Sequence, residues 1–319
     1  MSIKKIHPKV SLIDLHDLQQ EERTGAYILH EEAITIIETS ASPSIPYLKA
    51  GLKDLNISLE EIHYIIVTHI HLDHAGGVGL LLQECPNAKV IVHPKGAKHL
   101  INPTKLAAGA KAIYGDRFET LFDPIIPVSE DKVIIKHHKD TLTIGNDCTL
   151  TFYDTPGHSK HHFSIYHPAS NGIFAGDTAG IHYPAGKDHP AFFLPSTSPN
   201  QFDPKETLAS LELFEEMQLS RIYFGHYGMS ENVPFALTEV KKWLNIFVET
   251  SRGHFSTQLD FKENTEKIKA SLEEKVNIVL KQRGFSENHP IHTIIDVDLM
   301  VSSMGLVDYL IKEQGANKI

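Results

Sequence analysis

The chain has 319 residues, 41% of them hydrophobic and 22% charged, which is long enough for one large α/β domain or for a domain with an extension. Its formal net charge is −10 with the histidines counted as neutral, and its lysines and arginines do not cluster. Such an acidic chain is poorly suited to holding a nucleic acid backbone. Because no apolar run approaches the roughly 20 residues that cross a bilayer, no membrane span is expected either.

The chain has only two cysteines, Cys85 and Cys148, which are too few for a disulfide framework. Both are expected to be buried as small hydrophobic side chains. Residues 1–8 lack the long apolar segment of a signal peptide. These features together predict a cytoplasmic protein.

The first half of the chain reads as short strands separated by glycine, proline and asparagine. Residues 25–29 and 33–38 predict a hairpin over the turn 30–32. A helix is expected over about 45–55, and the apolar run 64–68 predicts a buried strand.

Four side chains of metal-ligand type follow that strand within six residues, and they are His69, His71, Asp73 and His74. Strand alternation places the first two on the same side of the extended chain. The other two follow at a predicted turn, after which two glycines bend the backbone into a helix over 78–83. The carboxyl end of a strand is where ligands gather in layered α/β proteins. The run therefore predicts a bound cation.

Strands and helices alternate again beyond this motif. A strand is predicted at 89–93 and a helix at 94–101, followed by consecutive strands at 141–144, 149–154, 162–167 and 172–175. An irregular stretch rich in proline, histidine and aromatic residues occupies 177–202. A helix then begins at Pro204, with Asp203 as its cap and Glu206 completing a capping box, and 221–224 is one more strand.

Three further short motifs lie at the ends of predicted strands. Residues 154–159 read DTPGHS, residues 174–178 read FAGDT, and residues 224–228 read FGHYG. In this order behind the H-x-H-x-D-H run at 69–74, they resemble the signature of the metallo-β-lactamase-fold superfamily of metallohydrolases. The resemblance covers about residues 20–245, and it is strongest to the glyoxalase II-like and lactonase-like branch.

The resemblance implies an α/β fold, the αββα sandwich of the metallo-β-lactamase fold with a C-terminal helical extension. Residues 1–250 would form the αββα domain, whose metals lie at one edge between two sheets. Residues 251–254 read as a loop, and apolar residues at helical spacing predict two helices in the extension, 251–319. In glyoxalase II such a region helps to bind the thiol part of the substrate. Core packing or a homodimer contact is the favoured use here.

Carried over motif by motif, the resemblance implies two divalent metal ions. One would be held by His69, His71 and His158, the other by Asp73, His74 and His226, with Asp177 bridging them. Neutral imidazoles suit zinc and similar ions, and the carboxylates neutralise part of the charge. Zinc is the favoured metal, with iron and manganese as alternatives.

The implied activity is that of a dinuclear metal-dependent hydrolase acting on a small-molecule ester, thioester, lactone or amide. Two ions about 3.5–4 Å apart can lower the pKa of a shared water to about 7, so a metal-bridging hydroxide would be the nucleophile. Asp177 would then be the bridging catalytic carboxylate, and Asp73 a proton carrier to the leaving group. The expected partner is the small-molecule substrate, with no nucleic acid and no membrane.

Aromatic and histidine side chains near the motifs are candidates for a substrate pocket. His182, Tyr183, Phe192 and Phe193 lie in the irregular stretch, where they either form a partly apolar rim or anchor the loop. Tyr227 either donates a hydrogen bond to a carbonyl oxygen or packs. Both roles stay open at the level of the sequence.

Other residues near the ligands bear on how the site is supported. Thr68 and Thr178 either orient ligands or simply favour strand. One of His161 and His162 could reach the pocket, although a structural role is favoured for this pair. One departure from the family pattern lies upstream. Where relatives commonly read Asp-Thr-Gly or Glu-Thr-Gly, this chain reads Glu-Thr-Ser at 38–40, which affects a hydrogen bond or turn behind the site and no metal ligand.

Two other classes of function remain as alternatives. One alternative is an enzyme that resembles the persulfide dioxygenases. That family shares much of this motif set but uses a single iron ion. A non-catalytic metal-binding protein would keep the fold and lose the chemistry, although none of the seven ligand positions is replaced here. A β-lactamase proper is disfavoured because no leader segment is predicted.

Overall fold

The computed structural model describes residues 3–184 and 191–316. The chain falls into two compact units, each made of several segments. Unit 1 comprises the residues up to 154 together with 161–176 and 219–233. Unit 2 comprises 155–160, 177–218 and the residues from 234 onward. The predicted domains, 1–250 and 251–319, are a different division of the chain from these two units. Whether either predicted domain folds by itself stays a prediction.

Unit 1 contains a seven-stranded sheet whose strands follow one another in space as they do in the chain. They are β1 (Ile3–His7), β2 (Val10–Asp14), β3 (Gly25–Leu29), β4 (Ile34–Ile37), β5 (Ile62–Ile66), β6 (Lys89–Val92) and β7 (Val133–Ile135). The first four are antiparallel, which confirms the predicted β3–β4 hairpin, and β4 to β7 are parallel. Parallel pairing brings the carboxyl ends of β4 and β5 to the same edge of the sheet, and the residues that follow them meet there.

Six helices belong to the same unit. They are α1 (Ile45–Asp54), α2 (Leu72–Ala75), α3 (Val78–Leu82), α4 (Pro94–Ile101), α5 (Thr104–Tyr114) and α6 (Phe118–Phe122). The structure confirms the predicted α1, α3 and α4. It corrects the turn expected at Asp73 and His74, which lie in the one-turn helix α2 because the backbone N–H groups of His74 and Ala75 both donate to the carbonyl of His71.

The second sheet of unit 1 has six strands. In chain order they are β8 (Thr141–Gly145), β9 (Cys148–Asp154), β10 (Phe163–His167), β11 (Gly172–Gly176), β14 (Arg221–Phe224) and β15 (Met229–Ser230). Neighbours pair antiparallel except β11 and β14, which run parallel. The predicted strands of this half are confirmed to within a residue or two.

The two sheets pack face to face, and the alternation of strand side chains explains how. In β3, Ala26 and Ile28 point towards α1, α3 and α4, whereas Tyr27 and Leu29 point to the other side. That other side forms a cluster with β9 and β10, whose Phe152, Phe163 and other apolar residues face it. The first sheet is therefore covered on both faces, as expected for the near-continuous apolar runs in β4, β5 and β6.

Within its described residues, unit 2 contains four α-helices and a hairpin. The helices are α7 (Pro204–Glu216), α8 (Val233–His254), α9 (Phe261–Gln282) and α10 (Ile291–Ala316), and the hairpin joins β12 (Ile181–Tyr183) to β13 (Phe192–Leu194). A single apolar core collects buried side chains from β12, β13, α8, α9 and α10, including Trp243, Phe247 and Leu272. This core confirms the expected packing role of the tail.

Two predictions of local structure in this unit are corrected. The stretch 177–202 was expected to be irregular, but β12 and β13 pair within it; residues 185–190 of that stretch lie outside the described residues. Residues 251–254 were expected to form a loop, but they are the last turn of α8. Ser251 is buried and its hydroxyl donates to the carbonyl of Val248, and α8 continues through Gly253 despite the low helix propensity of glycine.

Among the residues that the structure describes, none of the helices is both long enough and apolar enough to cross a bilayer.

Candidate metal centre

The residues after β5 are held from two sides before the first motif begins. The backbone N–H of Val67 donates to the carbonyl of Ile91, and the carbonyl of Thr68 accepts from the N–H of Phe163 at 3.0 Å. The chain is thus fixed between β6 and β10 at the point where His69 leaves the sheet. This explains how a local sequence motif acquires a defined geometry.

Unit 1 brings five of the predicted ligands together. The Oδ2 atom of Asp73 lies 3.7 Å from the Nε2 atoms of both His74 and His226, and the Nε2 of His69 lies 3.1 Å from the Nδ1 of His71. His69, His74 and His226 are at most 4% exposed. Imidazole nitrogens that face one another or a carboxylate in a buried position are the donor set that zinc and similar cations prefer.

A polar group of the protein lies close to Nδ1 of two of these imidazoles. The Thr68 hydroxyl lies 3.0 Å from the Nδ1 of His69, and Oε2 of Glu38 lies 3.2 Å from the Nδ1 of His74. Partners of this kind fix the tautomer and the ring orientation of a ligating histidine. They leave Nε2 of each ring directed to the cluster. The contact between Thr68 and His69 supports the orienting role considered for this threonine, which stays a prediction.

The turn at 38–40, where the sequence departs from the Asp-Thr-Gly or Glu-Thr-Gly pattern, holds two residues in the left-handed region. Ser40 has φ +56°, in the left-handed region that favours glycine, and Glu38 has φ +69°. The Ser40 hydroxyl donates to Oδ1 of Asp17 at 3.2 Å, and the Ser40 carbonyl accepts from Gly77. Meanwhile the carboxylate of Glu38 accepts from the backbone N–H of Thr68 at 2.9 Å. Glu38 therefore links the ends of β4 and β5.

A buried ion pair behind this turn was not found by sequence reasoning. The Nε of Arg23 donates to Oδ2 of Asp17 at 3.1 Å, and both side chains are at most 5% exposed. Burial raises the pKa of Asp17, while the positive charge of Arg23 opposes that rise. Neither residue belongs to a recognisable motif, because the two come together only when the loop 15–24 folds over the sheet.

Tyr27 fixes the turn that carries His226. Its hydroxyl oxygen lies 2.6 Å from the carbonyl oxygens of both Phe224 and Gly228, which flank the histidine. Tyr227 itself is 1% exposed and packs in the core between the two sheets, with Nζ of Lys4 5.0 Å from its ring centroid. The structure thus gives Tyr227 the packing role that the sequence left open beside substrate contact.

His161 and His162 lie against the same cluster. Their ring centroids are 6.2 Å and 5.2 Å from that of His69, and both side chains are buried. A Cβ atom on Gly176 would come within 2.4 Å of Nε2 of His162, so a glycine is needed where β11 ends. The structural role expected for this histidine pair agrees with their packing.

Unit 2 contains the other two predicted ligands. Nε2 of His158 lies 3.8 Å from Oδ2 of Asp177, and both side chains are at most 3% exposed. The carbonyl of Ser196 lies 3.2 Å from Nδ1 of His158, and the hydroxyl of the same serine donates to Oδ2 of Asp177 at 3.1 Å. Ser196 therefore positions both groups, and His158 is anchored at Nδ1 in the same manner as His69 and His74.

The helical tail supports the segment that contains Ser196. The hydroxyl of Thr197 donates to the carbonyl of Ser302 in α10 at 2.9 Å. A Cβ atom on Gly305 would lie only 1.7 Å from the carbonyl oxygen of Thr197, so α10 packs directly on this backbone. The tail thus acts on His158 and Asp177 through one short segment, which the sequence did not reveal.

The TPGH turn belongs to unit 2 and packs against the start of α7. Gly157 has φ +128°, and a Cβ there would meet the backbone of Thr207 at 2.4 Å, so α7 approaches the turn as closely as a glycine allows. The carbonyl of Gly157 accepts from Asp203, whose side chain caps α7 by accepting from Lys205 and Glu206. The Thr178 hydroxyl donates to the carbonyl of Thr155, so this threonine braces the turn.

The predicted pocket residues of the hairpin are mostly core residues. Tyr183 and Phe192 belong to the apolar core of unit 2, Phe193 is also fully buried, and the Tyr183 hydroxyl donates to Oδ2 of Asp298 at 2.8 Å. His182 is half-buried, with its ring 5.2 Å from that of Phe193. These contacts correspond to the anchoring alternative, and a substrate contact by His182 stays a prediction.

Removing the Glu38 carboxylate should weaken metal binding without unfolding the protein. Glu38→Gln keeps the side-chain size but exchanges the oxygen beside His74 for an amide, so we expect a loss of about 10–100-fold in metal affinity. A competition titration with a chelating zinc indicator measures it. Glu60→Gln, on an exposed side chain, is the matched control. Equal affinities in the two variants would contradict the orienting role of Glu38.

A family model matches the part of the chain that contains the predicted ligands of the four motifs. The family model described as the metallo-beta-lactamase superfamily matches residues 24–226, well over half of the chain. The protein belongs to the metallo-beta-lactamase superfamily. Most members of this superfamily are metal-dependent hydrolases, and the histidine and aspartate clusters described above are groups of this chain that could hold a metal ion.

Two curated relatives illustrate the range of the superfamily. The chain is 29% identical over 212 residues to the metallo-beta-lactamase fold-containing protein ST1585 of Sulfurisphaera tokodaii, covering 65% of this chain and 74% of that protein. It is 27% identical over 183 residues to the cytoplasmic hydroxyacylglutathione hydrolase of Arabidopsis thaliana, covering 56% of this chain. The match spans 55% of the plant enzyme, so about half of its length.

Solved structures confirm the fold class. ST1585 from Sulfolobus tokodaii superimposes with a TM-score of 0.64 at 21% identity, covering 93% of this chain and 97% of that one. A metallo-beta-lactamase family protein from Thermus thermophilus gives a TM-score of 0.65 at 16% identity, covering 97% of this chain and 95% of that one. The predicted metallo-β-lactamase fold with C-terminal helices is therefore correct.

Proposed function

We propose that the protein is a dinuclear metal-dependent hydrolase that cleaves a small-molecule ester, thioester, lactone or amide. The observation that carries the proposal is shared by three predicted ligands. In His69, His74 and His158, Nδ1 lies within 3.2 Å of Thr68, Glu38 and the Ser196 carbonyl respectively. Nε2 of each ring lies within 3.8 Å of another predicted ligand, which is His71, Asp73 and Asp177 respectively.

The chemistry of the donor set fits two divalent ions. The proposed ligands of one ion are His69, His71 and His158, those of the other are Asp73, His74 and His226, and Asp177 is the proposed bridge. Asp73, His74 and His226 offer ligand atoms that all lie within 4.8 Å of one another. Two carboxylates and five neutral imidazoles would leave the pair of ions with a net positive charge, which favours Lewis-acid chemistry.

The protein groups have separable roles in the proposed reaction. Bound divalent ions supply polarisation of the substrate carbonyl and a water of lowered pKa. Asp73, whose side chain is 25% exposed, is the least buried carboxylate of the set and the proposed carrier of a proton to the leaving group. Asp177 is held by the Ser196 hydroxyl, which fixes the orientation of its carboxylate.

Among the four substrate classes, the relatives favour a thioester. Several matched proteins are named hydroxyacylglutathione hydrolase, and an acyl group on glutathione is a thioester; one example from Bradyrhizobium is 26% identical over 214 residues. We infer that a thioester should be tested first. The cytoplasmic location and the homodimer contact remain predictions.

The proposal is tested by measuring metal content and turnover on the same purified protein. We expect at least two zinc-like ions per chain and hydrolysis of at least one member of a panel of glutathione thioesters, lactones and β-lactams, lost after chelation and restored by zinc. One ferrous ion per chain with oxygen consumption on a persulfide would replace the proposal by the dioxygenase alternative. Metal binding without turnover of any panel member would favour the non-catalytic alternative.

A further inference from the structure

A second group of metal-ligand side chains lies in unit 1 and plays no part in the proposed hydrolysis. Glu31, Cys148 and His167 each offer one ligand atom, and these three atoms lie within 4.8 Å of one another. The Cys148 and His167 side chains are at most 1% exposed, and that of Glu31 is 8% exposed. A buried thiol, imidazole and carboxylate in one cluster require an explanation, because such groups are costly to bury without partners.

The two sheets bring these residues together from distant parts of the chain. Cys148 begins β9 and His167 ends β10, and both side chains point into the space between the sheets, since residues 150 and 152 and residues 163 and 165 point there too. Glu31 lies in the turn between β3 and β4 and reaches the cluster from the opposite sheet. A Cβ on Gly145 would lie 3.2 Å from Oε2 of Glu31, so the close approach depends on a glycine.

The cluster is separate from the ligands at the other end of β10. Phe163, the first residue of this strand, donates to the carbonyl of Thr68 next to His69, whereas His167 is its last residue. Four residue steps along a strand span roughly 13 Å. The cluster therefore lies at the opposite end of the sandwich from His69.

His167 has a nitrogen directed into the cluster. Its Nδ1 lies 2.8 Å from the Ser170 hydroxyl, so Nε2 is the nitrogen that faces the cluster. Among the described residues, no hydrogen-bond partner is found for this buried Nε2, and Oε1 of Glu31 lies 3.9 Å away. Burial lowers the pKa of His167 to about 4, with the charges of His7 and Lys9 adding to the effect, so the ring is neutral at pH 7.

We propose that Glu31, Cys148 and His167 form a second, structural site for one zinc-like divalent cation, with water as the fourth ligand. Tetrahedral bonds of about 2.0–2.3 Å place neighbouring ligand atoms roughly 3.3–3.8 Å apart, so the distances within the cluster need to shorten by at most about 1.5 Å. Coordination replaces the thiol proton of Cys148, which passes to water. One thiolate and one carboxylate then balance the charge of the cation.

Glu31 can take this role while keeping its present ion pair. Its two carboxylate oxygens face different neighbours, with Oε2 lying 3.2 Å from Nζ of the exposed Lys9 and Oε1 facing His167. The residue is also the least buried of the three, which provides the entry for an ion. The cation would tie the β3–β4 turn to β9 and β10, and so fasten the two sheets at this end.

Cobalt substitution tests the site with a signal that the proposed hydrolytic centre does not produce. None of the seven residues proposed for that centre is a cysteine, so a thiolate-to-cobalt charge-transfer band reports on Cys148 alone. We expect the metal-free protein to develop this band on titration with Co²⁺. Cys148→Ser should lose the band and bind one ion fewer per chain, while Cys85→Ser, the matched control on the other buried cysteine, should keep both.

Further variants distinguish the possible failures. His167→Gln should also bind one ion fewer, which covers the case in which Cys148→Ser does not fold. Asp177→Ala should keep the band even if it loses hydrolysis, so the two proposals fail separately. A wild-type protein without any thiolate band, or a band that persists in Cys148→Ser, would overturn the site.

Discussion

Replacing Asp177 with alanine is expected to abolish hydrolysis and to lower the metal content of the protein. The substitution removes the proposed bridging carboxylate and the acceptor of the Ser196 hydroxyl. Because Lewis-acid activation by metal ions contributes several kcal/mol to transition-state stabilisation, kcat/KM should fall by at least about 1000-fold. Steady-state kinetics and elemental analysis of the same sample measure both effects.

The control for this variant is Asp54→Ala, which removes an exposed carboxylate at the end of α1. It should leave turnover and metal content at the wild-type level. An Asp177→Ala protein that is folded and still hydrolyses substrate at near the wild-type rate would end the bridging assignment.

Replacing Gly305 with alanine is expected to damage both the stability of unit 2 and its metal ligands. The new Cβ would lie 1.7 Å from the carbonyl oxygen of Thr197, and a backbone atom cannot move aside as the end of a flexible side chain can. Overpacking of this kind costs about 1–3 kcal/mol, occasionally more. The displaced segment contains Ser196, so His158 and Asp177 should lose their alignment and metal affinity should fall with stability.

Gly253→Ala in α8 is the matched control, since it is also a helical glycine but has nothing within 4 Å of the position of its Cβ. Alanine there should be neutral or stabilising by up to about 1 kcal/mol, because it removes the low helix propensity of glycine. Thermal unfolding and zinc affinity measured on both variants test whether the packing of α10 on Thr197 supports the metal ligands. Equal results for the two would show that the contact between α10 and Thr197 does not support the ligands.

Some of the interactions behind these predictions join residues close together in the sequence, whereas others join segments far apart in it. His69, His71, Asp73 and His74 were recognisable because ligand residues at short spacing behind an apolar strand are a local signal. The Ser196 carbonyl gave no such signal, since every residue carries a carbonyl group. In the sequence, Glu38 stood out only as part of a departure from the family pattern. Its contact with His74 depends on the parallel pairing of β4 and β5, which the sequence did not predict.

Several of the elements that went unpredicted share a weakness of local pattern. Residues 102–140 contain α5, in which no side chain is fully buried, and α6 and β7, which have only five and three residues. Without a buried apolar stripe, periodicity gives little indication of a helix. The hairpin of β12 and β13 was missed for a related reason, because three-residue strands are too short to show alternation.

By itself, the sequence determined the class of fold, the order of its main strands and helices, and the residue types available to bind metal. Those properties depend on apolar periodicity and on motif spacing, which act over a few residues at a time. Tertiary structure alone decided which atoms face one another, such as Nε2 of His167 with Glu31 and Gly305 with Thr197. The physical reason is that these contacts join segments far apart in the chain, so they exist only after the sheets and helices have packed.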